Sequence, residues 1–349
     1  MFFVAKMIDI KFNKKKKGIF FTFLAIAIMA ILALVFSPPS YVSLARDNQA
    51  LSMRVNSIDN YVDELKDQYF ETVLRAATYK ALLSLVYYMN ATNTYLTDVN
   101  APFSEVIIGC TINGVPIDTI RAPTDTIIDK KIMCNSTLTN WSNRIIQASQ
   151  DTLNVKTIIN ISNVRISQTQ PWFVDSQMDL NFTVKSDVAT WEKNVTIKTT
   201  VSIEGLPDPY YLLNTRDSVK GSHNNNINRS IIEFDQWDTS KVREALKNGN
   251  YMHFENSEAP SFLMRFTNTI AASNCCGIES FVNPNILDSS DQKESYVDYL
   301  FWVHAFNARC SELYNINGLW NEFNFFKLDV THLLTYKILP ADSTKVACV

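Results

Sequence analysis

Glycine is scarce in this chain, with 8 residues among 349, about a third of the share usual in globular proteins. No G-x-G-x-x-G motif occurs. The one G-x-x-x-x-G segment, residues 109–114, continues with Val115 and Pro116, where a phosphate-binding loop needs Lys followed by Ser or Thr. The sequence therefore argues against folds that hold nucleotide phosphates in glycine-rich loops.

An excess of basic charge is also missing. The chain has 32 Lys and Arg against 35 Asp and Glu, a formal net charge of −3. Such a balance offers no basic field to a nucleic acid backbone. We therefore expect no nucleic acid partner.

Motifs of enzyme active sites are absent as well. The sequence contains no H-E-x-x-H, no G-x-S-x-G and no Cys-x-x-Cys. We expect no enzyme activity, no cofactor and no metal, although a surface hydrolase whose site only folding assembles stays open as an alternative. The groups that folding could bring into a site are His253 with Glu255, Asp235 and Asp238; Asp208 with Glu204; and the pair Tyr210 and Tyr211, which suits a core or a sugar-binding face.

Positive charge is concentrated at the N-terminus. Residues 1–17 carry six lysines and a single aspartate, and residues 18–36 contain no charged side chain. As a helix, these nineteen residues span about 28 Å, close to the hydrocarbon thickness of a bilayer. The sequence predicts a cytoplasmic basic segment at 1–17, a single transmembrane helix at 18–36 and an extracytoplasmic chain from residue 40 onward.

Lys17 and Gly18 followed by a continuous apolar helix resemble the class III signal of archaeal type IV pilins and archaellins. In that family a prepilin peptidase cleaves after the residue corresponding to Gly18, which would leave Ile19 as the mature start. Many pilins have Glu five residues into the mature chain, whereas this chain has Phe23. The resemblance therefore implies processing more than filament assembly, and an uncleaved anchor is the alternative.

Three later segments, residues 260–263, 277–280 and 297–299, are similar to those of an uncharacterised family of archaeal single-pass membrane proteins. Members of that family have the same N-terminal layout. The resemblance implies a cell-surface location and no particular activity.

Residues 41–90 predict an amphipathic helical stalk. Their apolar positions recur with a period close to 3.6. The positions are Leu44, Leu51, Val55, Ile58, Val62, Leu65, Tyr69, Val73 and Ala76. The stripe suits either a coiled-coil seam or packing against the chain's own sheet, and the rising apolar content after residue 73 favours the sheet.

Residues 91–213 predict a head built on an antiparallel sheet. Short strands are expected at 101–135, around residues 106–108, and a helix at 137–153. Apolar and polar residues then alternate, as in strands with one dry face. The strands are predicted at residues 155–167, 172–184 and 191–203. A change of phase between Ile161 and Val164 indicates a bulge, and the upper stalk is the expected cover of the dry face.

Residues 214–230 form the best candidate for a linker, and residues 231–349 predict a disulfide-containing α+β lobe. Within the lobe we expect a helix at 239–248, a strand at 251–255 and a helix at 260–271. The whole chain is thus predicted to be an α+β protein with an N-terminal transmembrane helix.

All six cysteines follow the predicted membrane segment, and an even number outside the cell suits disulfides. They are Cys110, Cys134, Cys275, Cys276, Cys310 and Cys348. We expect a local Cys110–Cys134 bond, with Cys275 and Cys276 paired separately with Cys310 and Cys348. Free buried thiols are the alternative.

Seven N-glycosylation acceptors lie in the same part of the chain. They are Asn90, Asn135, Asn140, Asn160, Asn181, Asn194 and Asn228. Seven is close to the number expected by chance, so their position carries more information than their count. Asn160, Asn181 and Asn194 fall on polar positions of the predicted strands.

These features predict a membrane-anchored extracytoplasmic structural or interaction protein, in one form a pilin-like surface subunit. The expected partners are membrane lipid, further copies through the N-terminal helix, and other surface proteins or glycans. A monomeric surface ectodomain that binds a ligand or glycan through its C-terminal lobe is the alternative.

Overall fold

The computed structural model describes most of the chain. The described residues are 24–29, 31, 40–117, 131–215, 226–229, 238–255, 258–283, 294–303, 312–319, 322–323 and 326–346. The chain divides into two compact units, residues 1–60 and 61–349. The predicted linker at 214–230 lies inside the second unit.

In the first unit, residues 24–29 and 31 are helical, and helix α1 (Ser40–Glu64) begins there. Within the described ranges, no helix is long and apolar enough to cross a membrane. Most of residues 18–36, including Gly18 and Ile19, lies outside those ranges. The transmembrane segment and the processing site therefore stay predictions.

The predicted stalk is helical along its length, with an interruption. A π-helical turn, Leu65–Tyr69, joins α1 to helix α2 (Phe70–Thr92). Asn93 ends α2 in the left-handed conformation, with φ of 56°.

The apolar stripe does not continue through the π turn as predicted. Tyr69 and Ala76 are exposed, whereas Phe70 and Ala77 are buried. A π turn accommodates one extra residue, so the spacing between buried positions, which is four and then three from Ile58 to Leu65, widens to five between Leu65 and Phe70.

The prediction of a short strand around residues 106–108 was wrong. Helix α3 (Asn100–Gly109) contains this segment, and its Val106 and Ile107 are both buried. Packing of the helix against α2 outweighs the weak preference of β-branched residues for strands. A short β-hairpin follows, formed by the two-residue strands β1 (Thr111–Ile112) and β2 (Val115–Pro116).

The predicted helix at 137–153 is confirmed. Helix α5 (Leu138–Leu153) follows the short helix α4 (Lys131–Cys134). Its N-cap is Thr137, whose hydroxyl accepts a hydrogen bond from the backbone N–H of Asn140 at 3.1 Å.

The predicted antiparallel meander is confirmed. Strands β3 (Lys156–Gln170), β4 (Phe173–Lys185) and β5 (Thr190–Ser202) form a sheet in the order β3-β4-β5. The register shifts between Ser162 and Arg165, where the sequence predicts the bulge.

Helices cover one face of this sheet, as predicted. Helix α2 packs on β4 and β5, and α5 packs on β3. The rings of Phe70 and Phe182 lie 5.4 Å apart at the centre of this layer. Burying a side chain of this size contributes about 1.5–3 kcal/mol, so the upper stalk is an integral part of the head.

The elements of the remaining described residues are short helices and strands. Its described elements are α6 (Pro209–Asn214), β6 (Asn228–Arg229), α7 (Thr239–Asn248), β7 (Asn250–Met252), α8 (Phe262–Arg265), β8 (Glu279–Ser280), α9 (Asp298–Trp302), β9 (Leu313–Ile316), β10 (Lys327–Asp329), α10 (Val330–Thr335) and β11 (Ser343–Lys345). They form two small sheets, ordered β6-β7-β8 and β10-β9-β11.

Helix α7 has the predicted bounds, whereas two neighbouring predictions were too long. The strand predicted at 251–255 ends at Met252, and the helix predicted at 260–271 is reduced to α8. Ser261 is held in a bridge to Gly277 before α8 begins, and Asn268 adopts φ of 56° beyond its end. Neither conformation continues a helix.

Candidate functional site

The C-terminal half of the described chain is built around a buried guanidinium. The Nη1 atom of Arg265 donates to a carboxylate oxygen of Asp208 at 2.6 Å and to one of Asp298 at 2.8 Å. Its Nη2 atom donates to the carbonyl of Ile278. All three charged side chains are fully buried.

Local structure positions Asp208 for this contact. It is the N-cap of α6, and its second oxygen accepts the backbone N–H of Tyr210 at 2.8 Å. The hydroxyl of Tyr251 donates at 2.6 Å to the same oxygen of Asp208 that Arg265 contacts. The rings of Tyr210 and Tyr251 lie 4.9 and 5.6 Å from the guanidinium carbon of Arg265, so the cation is held by both charge and aromatic faces.

Two carboxylates share this one cation. Burial raises the pKa of Asp298, and the guanidinium of Arg265 opposes only part of that effect. Burial would lower the pKa of Arg265, but Asp208 and Asp298 raise it well above its usual range. Arg265 therefore stays positively charged, whereas Asp298 binds a proton more readily than an ordinary aspartate does.

A second buried cluster surrounds His332. Its Nδ1 atom lies 2.7 Å from Asp329, and its Nε2 atom lies 3.5 Å from Glu279 and 3.2 Å from the hydroxyl of Tyr299. Burial alone would lower the pKa of His332, but the two carboxylates outweigh it and raise the pKa to about 10. The hydroxyl of Tyr336 donates to Glu279 at 2.7 Å.

Two pairs of neighbouring residues join the clusters. On β8, Glu279 contacts His332 while Ser280 donates to Asp298 at 2.9 Å. On α9, Asp298 contacts Arg265 while the next residue, Tyr299, contacts His332. Because every member is buried and bonded, the network cross-links distant segments rather than presenting reactive groups to solvent.

A groove opens on the head beside α2, with a volume of about 800 Å³. The Nε atom of Arg75 donates to the hydroxyl of Thr199 at 3.2 Å, and Asn100 accepts the backbone N–H of Ile166 at 3.0 Å. The buried hydroxyl of Ser176 lines the groove and has no hydrogen-bond partner. The lining also carries three cations, Arg75, Arg165 and Lys198, against two carboxylates, Glu71 and Asp175, and Glu71 pairs with the Nη2 atom of Arg75. With the hydroxyls and the amide, these groups suit a small polar or acidic ligand.

Most side chains on the open face of the β3–β5 sheet are polar, with Ile158 as an exposed apolar exception. Asp179 accepts hydrogen bonds from Asn163 at 2.9 Å and from Thr196 at 2.8 Å. Asp175 accepts one from Thr200 at 3.0 Å. The hydrogen bonds of Asn163 and Thr196 lower the pKa of Asp179, so this face carries fixed negative charges among hydroxyls.

Three predicted glycosylation acceptors form one row on this face. Asn160 pairs directly with Asn181 across β3 and β4, and Asn181 pairs with Asn194 across β4 and β5. All three are exposed. The amide of Asn181 donates to the side-chain carbonyl of Asn194.

The other four acceptors are dispersed. Asn90 lies in α2, Asn140 in the first turn of α5 and Asn228 in β6, all partly buried. Asn135 is exposed in the turn after α4.

Two disulfides occur in the described part of the chain, and one was predicted. Cys110 bonds to Cys134 as expected. Cys275 and Cys276 bond to each other, so the expectation that they pair separately with Cys310 and Cys348 was wrong. The turn at residues 274–276 places both sulfurs about equally near the carbonyl of Gln168, at 3.7 and 3.6 Å.

Cys310 and Cys348 lie outside the described residues, as does Asp235. The structure separates most of the other groups singled out from the sequence. His253 contacts the carbonyl of Gly277, whereas Asp238 caps α7. Glu204 is exposed and Asp208 is buried, and Tyr210 and Tyr211 belong to the core.

Sequence reasoning missed Arg265, Asp298, Glu279, Asp329 and His332 as one network. The available signal was a set of isolated charged residues within strongly aromatic segments, such as Asp298 between Val297 and Tyr299. Charged side chains that are buried need partners.

Within the described ranges, no group of three or more His, Cys, Asp or Glu side chains is arranged to hold a metal ion. Comparison with protein-family models, with curated proteins and with solved structures finds no match to this chain.

Proposed function

We propose that this protein is a membrane-anchored extracytoplasmic structural or interaction protein. Residues 18–36 anchor it, the lysines of residues 1–17 stay in the cytoplasm, and the head meets other surface proteins or glycans. The exposed apolar side chains of the first unit support lipid burial or helix association. They are Leu24, Ile26, Ile28, Met29 and Ile31.

The observation that carries the proposal is the pair of disulfides. Cys110–Cys134 and Cys275–Cys276 both lie in the unit that follows the basic and apolar N-terminal segments. Disulfides persist in oxidising compartments and are rare in the cytosol. Their position supports an extracytoplasmic head.

In the finer form of the proposal, the chain is a pilin-like subunit. Cleavage between Gly18 and Ile19 would then release the basic segment, and residues 19–36 would associate with those of further copies. Phe23, in place of the Glu of many pilins, leaves processing better supported than filament assembly.

The groove beside α2 favours a second candidate, a monomeric surface protein that binds an acidic sugar. Glucuronate is a suitable probe because its carboxylate matches the guanidinium of Arg75, where it would compete with Glu71, and its hydroxyls match Ser176 and Thr199. Saturation-transfer NMR should detect contact, which Arg75→Gln should abolish and Arg144→Gln, on the surface of α5, should leave unchanged. No transfer to the unsubstituted protein would contradict this candidate.

The test of the main proposal is the N-terminus of the protein recovered from its native membranes, measured by mass spectrometry. A start at Met1 in a carbonate-resistant membrane fraction supports a single-pass anchor. A start at Ile19 supports the pilin-like form. Recovery from the soluble fraction with reduced cysteines, or a start near Arg46, would contradict anchoring.

A further inference from the structure

We propose that the open face of the β3–β5 sheet is a glycan-bearing surface, modified at Asn160 and Asn194 while Asn181 between them stays unmodified. The inference rests on the proposed extracytoplasmic location, because N-glycan transfer takes place there. It adds to that proposal a specific site and a specific pattern of occupancy.

The three acceptors have the same chemistry and the same orientation. Each asparagine is followed two positions later by Ser162, Thr183 or Thr196. Strand side chains alternate between faces, and the pairing register places all three asparagines in one row on the open face. No helix covers them, since all three are exposed.

The spacing within the row limits how many glycans fit. Directly opposite residues on neighbouring strands have Cβ atoms about 4.5–5.5 Å apart, which is comparable with the width of one sugar ring. Glycans on Asn160 and Asn181, or on Asn181 and Asn194, would therefore collide at their first sugar. Asn160 and Asn194 are two strand spacings apart, about 10 Å, so both can be modified if Asn181 is not.

The hydrogen bond within the row is compatible with the same pattern. N-glycans attach to the Nδ2 atom, and the Nδ2 atom of Asn181 donates to the Oδ1 atom of Asn194. Modification of Asn194 at its own Nδ2 atom leaves that acceptor in place. The unmodified amide of Asn181 can therefore hold the modified Asn194 in position.

The surroundings of the row suit a sugar. Ile158 is the neighbour of Asn160 on the same face and is 46 % exposed, so a first sugar on Asn160 would cover apolar surface that is otherwise in water. On the other side, Thr196 and Asp179 supply hydroxyl and carboxylate partners. The face thus offers both an apolar contact and hydrogen bonds.

The transfer itself needs a lipid-linked oligosaccharide and a membrane transferase. The amide nitrogen forms a bond to the anomeric carbon of the sugar, and the bond from that carbon to the phosphate oxygen breaks. The lipid phosphate leaves, and a proton of the amide passes to a base of the transferase. No oxidation or reduction takes place.

The test is peptide mass spectrometry of the full chain from native membranes. Cleavage after Lys and Arg places the acceptors in separate peptides, residues 157–165, 166–185 and 194–198. We expect glycan mass on the first and third peptides and none on the second in most molecules. Modification of peptide 166–185 in most molecules, alone or with the others, would overturn the proposal.

Paired variants separate crowding from an intrinsically poor acceptor. Ser162→Ala with Thr196→Ala removes both flanking acceptors without changing an asparagine, and Asn181 should then become modified. Thr92→Ala, which removes the acceptor at Asn90, should leave Asn181 unmodified. If Asn181 stays unmodified in the double variant, the crowding argument fails.

The outcomes distinguish this inference from the proposed function. Bare peptides at all three positions in an anchored chain with intact disulfides would overturn the glycan-bearing face alone. Bare acceptors throughout, together with reduced cysteines and recovery from the cytosol, would overturn both.

Discussion

The guanidinium of Arg265 lies 2.6 Å from the carboxylate of Asp208, although the two residues are 57 positions apart in the chain, and neither side chain is exposed. Asp208→Asn keeps an effective helix N-cap but removes a charge that the buried guanidinium needs. Breaking a buried ion pair costs about 3–5 kcal/mol. We expect the free energy of unfolding, measured by urea titration with near-ultraviolet circular dichroism, to fall by that amount.

Asp175→Asn is the matched control. Asp175 lies on the open face of the sheet, where its carboxylate accepts a hydrogen bond from Thr200. The substitution should lower the free energy of unfolding by no more than about 1 kcal/mol. Equal losses for the two variants would contradict a special role for the buried pair.

Stability should fall as the pH rises through the neutral and alkaline range. The pKa of His332 is raised from 6.5 to about 10 in the folded state. Its stabilising contribution is therefore complete below pH 6.5 and is lost between pH 6.5 and 10. Because each pKa unit corresponds to about 1.4 kcal/mol, the free energy of unfolding should fall by a few kcal/mol between pH 6.5 and 10.

Urea titrations at several pH values check this dependence. His332→Gln should flatten the decline between pH 6.5 and 9, whereas His253→Gln, at a partly exposed position, should retain it. An unchanged decline in the His332 variant would assign the effect to another group.

The Cys110–Cys134 bond should stabilise the head. It closes a loop with a sequence separation of 24, and removing a disulfide of this size costs about 3 kcal/mol in the chain-entropy account. The double variant Cys110→Ser with Cys134→Ser should lower the free energy of unfolding by that amount. An unchanged urea midpoint would contradict the expectation.

Non-reducing peptide mapping of the same samples checks the second bond. Cys275 and Cys276 should appear as a closed pair within one peptide. A peptide cross-linked to Cys310 or Cys348 would contradict the structure.

Gly277→Ala should be strongly destabilising. A Cβ atom at this position would lie 2.3 Å from the carbonyl oxygen of Ala259, a backbone atom that cannot rotate away. Overpacking of this kind costs about 1–3 kcal/mol, which thermal unfolding can measure. At Gly109 the nearest atom to such a Cβ is 3.9 Å away, so Gly109→Ala should be neutral or stabilising.

The strands of the sheet could be predicted because apolar and polar residues alternate locally along them. Strands β4 and β5 alternate for thirteen residues each, and the phase change between Ile161 and Val164 marks the bulge. Helix α7 likewise has local signals at both ends, with Asp238 as N-cap and Gly249 at the left-handed C-cap. Such signals do not depend on distant parts of the chain.

The network and the asparagine row could not be read in the same way. Arg265, Asp208 and Asp298 come together only through tertiary packing, and no local pattern relates them. The asparagines lie on polar positions in the sequence, but their alignment depends on the pairing register of three strands. The strand prediction around Val106 was wrong for a related reason, because the helix found there is stabilised by packing against α2.

The buried residues on both sides of the π turn at Leu65–Tyr69 limit where a partner helix can dock on the stalk. One extra residue rotates the outward face of an α-helix by about 100°. The stripe positions Ile58, Val62 and Leu65 before the turn are already buried within the protein, as are Phe70 and Ala77 beyond it. Bundling of copies along this stripe would therefore end before Ile58, at positions such as Leu51, which is exposed.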